Sequence, residues 1–244
     1  MTVKTPPAPE TTTAQDVLSV LHGMANPVRA AHSAGYFKTG PGEYGEGDKF
    51  LGLSAQQQHA LSKQYRLLPL PEVDILLQNP FHDARTLALL ILVLRYQKGD
   101  AAERDRVCAL YMKRLDFINN WDLVDCSAPY IVGPHLQSGD RALLIELAAS
   151  PILWRRRVAV LATLHFIRAG ELTPTLDLCD RLLADRQDLM HKACGWMLRE
   201  AMKRDRKRVE DWLIARASRV PRTALRYAIE RLEPDRRKWH LALK

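Results

Sequence analysis

Apolar residues recur at intervals of three and four along almost the whole chain, the spacing that lines one face of an α-helix. Over residues 14–31, Val17, Leu18, Val20, Leu21 and Met24 build such a face, interrupted at Asn26-Pro27. Beyond residue 53 the same period predicts helices over 54–64, 74–77, 84–96, 102–118, 141–149, 154–169, 174–184, 189–203, 209–217 and 222–232. Gly, Pro and capping residues punctuate them at Asn79-Pro80, Gly99-Asp100, Ser138-Gly139-Asp140, Ser150-Pro151, Gly170 and Val220-Pro221. No run alternates as a strand does. Residues 1–13, with three prolines and five threonines and no apolar period, are expected to form a disordered leader. Residues 35–53 are the least helical part of the remainder and predict an ordered, glycine-jointed loop.

Short connections between helices of this length make antiparallel hairpins, and hairpins at a near-constant period make an α-solenoid. Arg85, Trp121, Arg157, Lys192 and Arg222 follow one another at 36, 36, 35 and 30 residues. That period predicts one all-α domain over 14–244, built of stacked helical hairpins that each present a side chain to a concave, basic wall.

Charge sharpens this picture. The 244-residue chain carries a formal net charge of +8, which favours an anionic partner such as nucleic acid or a membrane surface. From His191 to Lys244 there are 16 Lys and Arg against 7 Asp and Glu, so the excess is concentrated at the C-terminal end. The longest apolar stretch, Leu87 to Leu94, is far too short for a bilayer. Cys108, Cys126, Cys179 and Cys194 lack C-x-x-C spacing and the eight histidines lack H-E-x-x-H, so reduced thiols, a cytoplasmic location and no metal are expected. Gly40-Pro41-Gly42-Glu43-Tyr44-Gly45 formally matches G-x-G-x-x-G. No apolar strand precedes it, and Glu46 and Asp48 would repel a pyrophosphate, so it is not a dinucleotide site.

The densest candidate chemistry is Asn119-Asn120-Trp121-Asp122-Leu123-Val124-Asp125. Trp121 and Asp125 stand one helical turn apart, which turns an indole and a carboxylate the same way. Lys192 and Trp196 repeat the interval downstream. Taken alone, Trp121 reads as a helix anchor and Asp125 as a surface acid. Their place within a basic face favours function. Asp122 reads as a first-turn acid or a cap. Trp154 leans towards packing between repeats, and Trp212 and Trp239 read as structural.

Four segments in order resemble the DNA alkylation repair family, the HEAT-like-repeat alkylpurine DNA glycosylases of the AlkD type. They are Tyr44 to Gly52, Asn120 to Asp125, Trp154 to Ala159 and Lys192 to Glu200, and the likeness covers roughly residues 24 to 232. The resemblance implies that Asp125 matches the catalytic carboxylate and that Trp121 and Trp196 match two indoles flanking the lesion. Arg157 matches a DNA-contacting cation, and Arg156, Lys192, Arg222 and Arg85 are expected to join it. Tyr36 and Tyr44 lie near the family's N-terminal DNA-facing region. The resemblance further implies removal of N3- and N7-alkylated purines from duplex DNA with no cofactor. It would leave an abasic site, without lyase activity because no lysine is placed to form a Schiff base. Groove capture rather than a deep base pocket is implied, and a monomer with no obligate protein partner suffices. The competing readings are a non-catalytic DNA-binding solenoid and a protein-interaction scaffold, and the basic wall argues against the second.

Overall fold

The computed structural model describes residues 12–137 and 140–243; all but two of the residues expected to form the leader lie outside them. Among the described residues there is no strand, only an isolated bridge between Lys49 and Phe81. The chain divides into two compact units after Ser127.

The first unit holds α1 (Ala14–Gly23), α2 (Pro27–Tyr36), α3 (Ala55–Gln64), α4 (Leu70–Leu77), α5 (His82–Lys98), α6 (Ala101–Lys113) and α7 (Trp121–Asp125). The break at Asn26-Pro27 is real: Asn26 caps α2 through its side chain, and Pro27 takes the first helical position, where no N–H is needed. The period over 102–118 predicted one helix. Instead α6 stops at Lys113 and a 3₁₀ turn, Leu115–Phe117, carries the chain round to α7. The helix α5 is the centre of this unit, with Leu87, Ala88, Leu89, Ile91 and Leu92 fully buried and α3, α4 and α6 packed on it.

The loop 37–54 is ordered, as its sequence predicts, and hydrogen bonds explain why. Asp83, in the first turn of α5, accepts from the Leu51 and Leu53 backbone N–H groups at 2.7 and 2.8 Å. Lys49 O accepts from the His82 N–H at 2.7 Å, and Leu51 O from the Asn26 N–H at 2.8 Å. At Gly45 the backbones come so close that a Cβ would stand 2.4 Å from Phe37 O, so no side chain fits there.

The second unit holds α8 (Val132–His135), α9 (Ala142–Ala148), α10 (Leu153–Arg168), α11 (Thr173–Arg181), α12 (Asp188–Met202), α13 (Arg206–Ile214), α14 (Arg222–Ala228) and α15 (Pro234–Ala242). The helix α10 packs on α8, α9, α11 and α12; α12 in turn packs on α13 and α14. Gly195 permits the packing of α12 on α14, because a Cβ there would lie 2.5 Å from both Ala224 O and Tyr227 Cβ. Trp154 and Trp212 are buried as expected, whereas Trp239 is 40% exposed, with the Arg236 guanidinium 4.0 Å over its ring. Several cations of the basic C-terminal segment are paired within it: Lys203 with Glu200, Arg206 with Glu233, Lys207 with Asp211 and Arg236 with Glu210.

Candidate active site

In the first unit the site is built around α7. Asn120 is fully buried and caps the helix, its Oδ1 accepting from the Trp121 N–H at 2.8 Å. Trp121 and Asp125 occupy the two ends of this one-turn helix, both half-buried. The indole does not stand alone. It stacks on Phe37 at 5.3 Å between centroids and meets the edge of Tyr36 at 5.9 Å. Phe37 stacks in turn on Phe50 at 5.2 Å, and both rings lie against His82, at 5.0 and 4.6 Å. Tyr36 is 59% exposed, which places an open aromatic ring beside Trp121.

Asp122 has a partner that helical spacing does not reveal. Its Oδ2 lies 2.7 Å from His82 Nε2, and His82 Nδ1 lies 2.8 Å from Asp48 Oδ2. Asp48 Oδ1 accepts from Arg85 Nη2 at 2.5 Å, and the same guanidinium nitrogen donates to Asn119 Oδ1 at 3.2 Å. Burial drives the His82 ring towards neutrality, but hydrogen bonds and charge from Asp122 and Asp48 outweigh it and raise its pKa to about 9. Burial likewise opposes ionisation of Asp48, and His82 and Arg85 overcome it, holding the carboxyl below its usual range. The sequence did carry a signal for this network. His82, Asp83 and Arg85 open the helix that holds the longest apolar stretch of the chain, where charged side chains are buried and must find partners.

Arg85 therefore departs from the expected wall. It is 3% exposed and also donates to Asn79 O and Pro80 O at 3.0 and 3.3 Å. Arg156 departs in the same way: its Nη1 donates to Ser150 O and Pro151 O, both at 2.9 Å, and its Nε to Asp185 at 2.7 Å. Each is the fifth residue after a proline and clamps the carbonyls that precede a helix. The 36-residue period aligned Arg85 with Arg157, but in local role Arg85 corresponds to Arg156.

In the second unit Arg157 is buried, with Nη1 donating to Leu189 O at 2.7 Å in the first turn of α12. Lys192 pairs with Asp188 one turn earlier at 2.8 Å and keeps its side chain 38% exposed. Trp196 is half-buried one turn further along, immediately after the close-packed Gly195. Arg222 is exposed at the start of α14, donating to Leu241 O at 2.7 Å. A cavity of about 280 Å³ in the first unit is lined by Phe37, Phe50, Gln58, His82, Asp122 and Cys126 among others. Another of about 260 Å³, between α9 and α11, touches none of the expected site residues.

The fold and site define an all-α protein that mounts an indole and a carboxylate on a short helix braced by an aromatic stack. Its pattern of residues matches that of the DNA alkylation repair enzyme family over 17–232, and the chain belongs to that family, whose work is DNA repair. Among solved structures it is similar to a predicted DNA alkylation repair enzyme from Enterococcus faecalis. The TM-score is 0.66 at 20% identity, over 86% of this chain and 97% of that one, a likeness of fold. Comparison with curated proteins gives no match. No helix among the described residues is long and apolar enough to cross a membrane.

Proposed function

We propose that the chain is a monofunctional glycosylase that hydrolyses the N-glycosidic bond of N3- and N7-alkylated purines in duplex DNA. The observation that carries this reading is α7 itself: Trp121 and Asp125 share one turn, and the indole is fixed by the stack through Phe37. Alkylation at N3 or N7 makes the purine cationic and already a good leaving group. The C1′–N bond then breaks towards an oxocarbenium-like sugar, which asks for negative charge near C1′ and a positioned water. Asp125 supplies both roles in this reading. Asp122 bonds to His82, and the chemistry is assigned to Asp125, which shares one helical turn with Trp121. One preorganised group of this kind contributes on the order of 10²–10³ in rate. The face of Trp121 favours the positive charge of the base and of the developing sugar cation. Lys192 and Arg222 are assigned to DNA, with residues 14–244 acting as one functional domain, as a monomer in the cytoplasm. Arg85, Arg156 and Arg157 are left out, because their guanidinium groups are bound within the protein.

The test is a duplex bearing a single 7-methylguanine, incubated with the wild type or Asp125→Asn and then cleaved with alkali at abasic sites. Scission that depends on Asp125 is expected, with no scission before alkali. Binding without base release by either protein would replace the enzyme with a damage-binding helical array.

A further inference from the structure

We propose that the imidazolium of His82 is a positioning residue for α7, tying Asp122 to Asp48 of the loop 37–54 and thereby fixing Trp121 and Asp125. The inference rests on reading α7 as the reactive element.

A helix of five residues has barely one turn of internal hydrogen bonds and cannot hold its own direction. It needs external ties, and two of them meet at one histidine. His82 is 3% exposed, and its two nitrogens lie 2.7 Å from Asp122 and 2.8 Å from Asp48. Ionised carboxylates only accept, so both contacts require N–H donors, and only the doubly protonated ring has two. The ring also belongs to the stack that ends on Trp121: Phe37 touches both His82 and the indole. The histidine thus reaches α7 by two routes, through a carboxylate one residue from Trp121 and through an aromatic face. Deprotonation leaves a lone pair facing a carboxylate on one side of the ring.

The charged and titratable groups around the ring come from four elements. Asp48 of the loop is shared with Arg85 of α5; Asp122 belongs to α7. Asp83 of α5, His59 of α3 and Cys126 at the end of α7 line the cavity beside it. Asp83 is occupied by the Leu51 and Leu53 N–H groups, which leaves Asp48 and Asp122 as the ring's own partners.

A reacting group displaced by about 1 Å can lose about 10²-fold in rate, whereas remote phosphate contacts are unaffected. The experiment is single-turnover release of 7-methylguanine from duplex DNA across pH 6 to 10, beside the Kd for the same duplex, with substrate alone as control at each pH. His82→Gln is expected to slow release at least about tenfold with Kd within about twofold. The wild-type rate is expected to fall as pH rises through about 9, and His82→Gln to lack that limb. Asp48→Asn, which keeps the histidine and removes its outer carboxylate, is expected to move the limb to lower pH. That arm decides the matter should His82→Gln fail to fold. Equal rates, a Kd weakened in proportion to the rate, or a limb that Asp48→Asn leaves in place would overturn the proposal. A wild type that releases no base fails earlier: it removes the glycosylase reading, and this inference with it.

Discussion

His82 shows how much one side chain can decide. Its pKa is raised above the unfolded value, so its contribution to stability is complete below about pH 6.5 and disappears as pH rises through about 9. Resistance to thermal unfolding is expected to weaken across that window in the wild type, and His82→Gln should flatten the curve there. An acidic counterpart lies in the second unit. Arg236 above all, with His240 and against the opposing effect of burial, depresses the Glu210 pKa to about 2. Its contribution is present above about pH 4.5 and disappears as pH falls towards 2, so Arg236→Ala should raise the midpoint of acid unfolding. Gly45 is the third such residue. With Phe37 O standing 2.4 Å from a new Cβ, Gly45→Ala is expected to cost about 1–3 kcal/mol in denaturant unfolding.

At the scale of elements, the helix starts carry the organisation. Asp83 holds two loop N–H groups, Asn120 caps α7, and Arg85 and Arg156 bind the carbonyls before α5 and α10. Removing Asn120 takes away a buried cap, for which about 1–2 kcal/mol is typical. Asn120→Ala should also disturb the Trp121 environment, and tryptophan fluorescence of the folded variant reads that directly. The helix periods were legible in sequence because apolar spacing is a local property, and α5, α10 and α12 lie close to where it put them. Two departures have a clear physical reason. The stretch after Lys113 keeps an apolar rhythm, since Leu115 and Ile118 are buried, but that burial comes from a 3₁₀ turn and a bend rather than from α-helix. The last helix, α15, went unseen because its Lys- and Arg-rich segment has little apolar stripe, and Pro at its start with Glu210 pairing Arg236 stands in for one.

For the molecule as a whole, net charge of +8 and membership of a DNA repair family point to DNA, and salt dependence measures which cations meet it. A variant that no longer neutralises one phosphate should bind with a slope of log K against log salt shallower by about 1. Lys192→Ala and Arg222→Ala are expected to do so. Arg85→Ala should leave the slope unchanged and lower stability instead, because it removes a donor from Asp48 Oδ1 and from two carbonyls. A shallower slope for Arg85→Ala would return that residue to the DNA-facing set.

The sequence by itself determined the all-α class, the family, and the pairing of Trp121 with Asp125, all of which rest on spacing within a turn or on ordered local signatures. Only the tertiary structure decided which charges are available. Arg85, Arg156, Arg157 and Lys192 look alike as cations along the chain, yet burial and partners separate them. Those partners are set by residues distant in the chain: Asp48 for Arg85, Asp185 for Arg156, Leu189 O for Arg157. The bond between His82 and Asp122 spans 40 residues, a separation at which no helical period carries information.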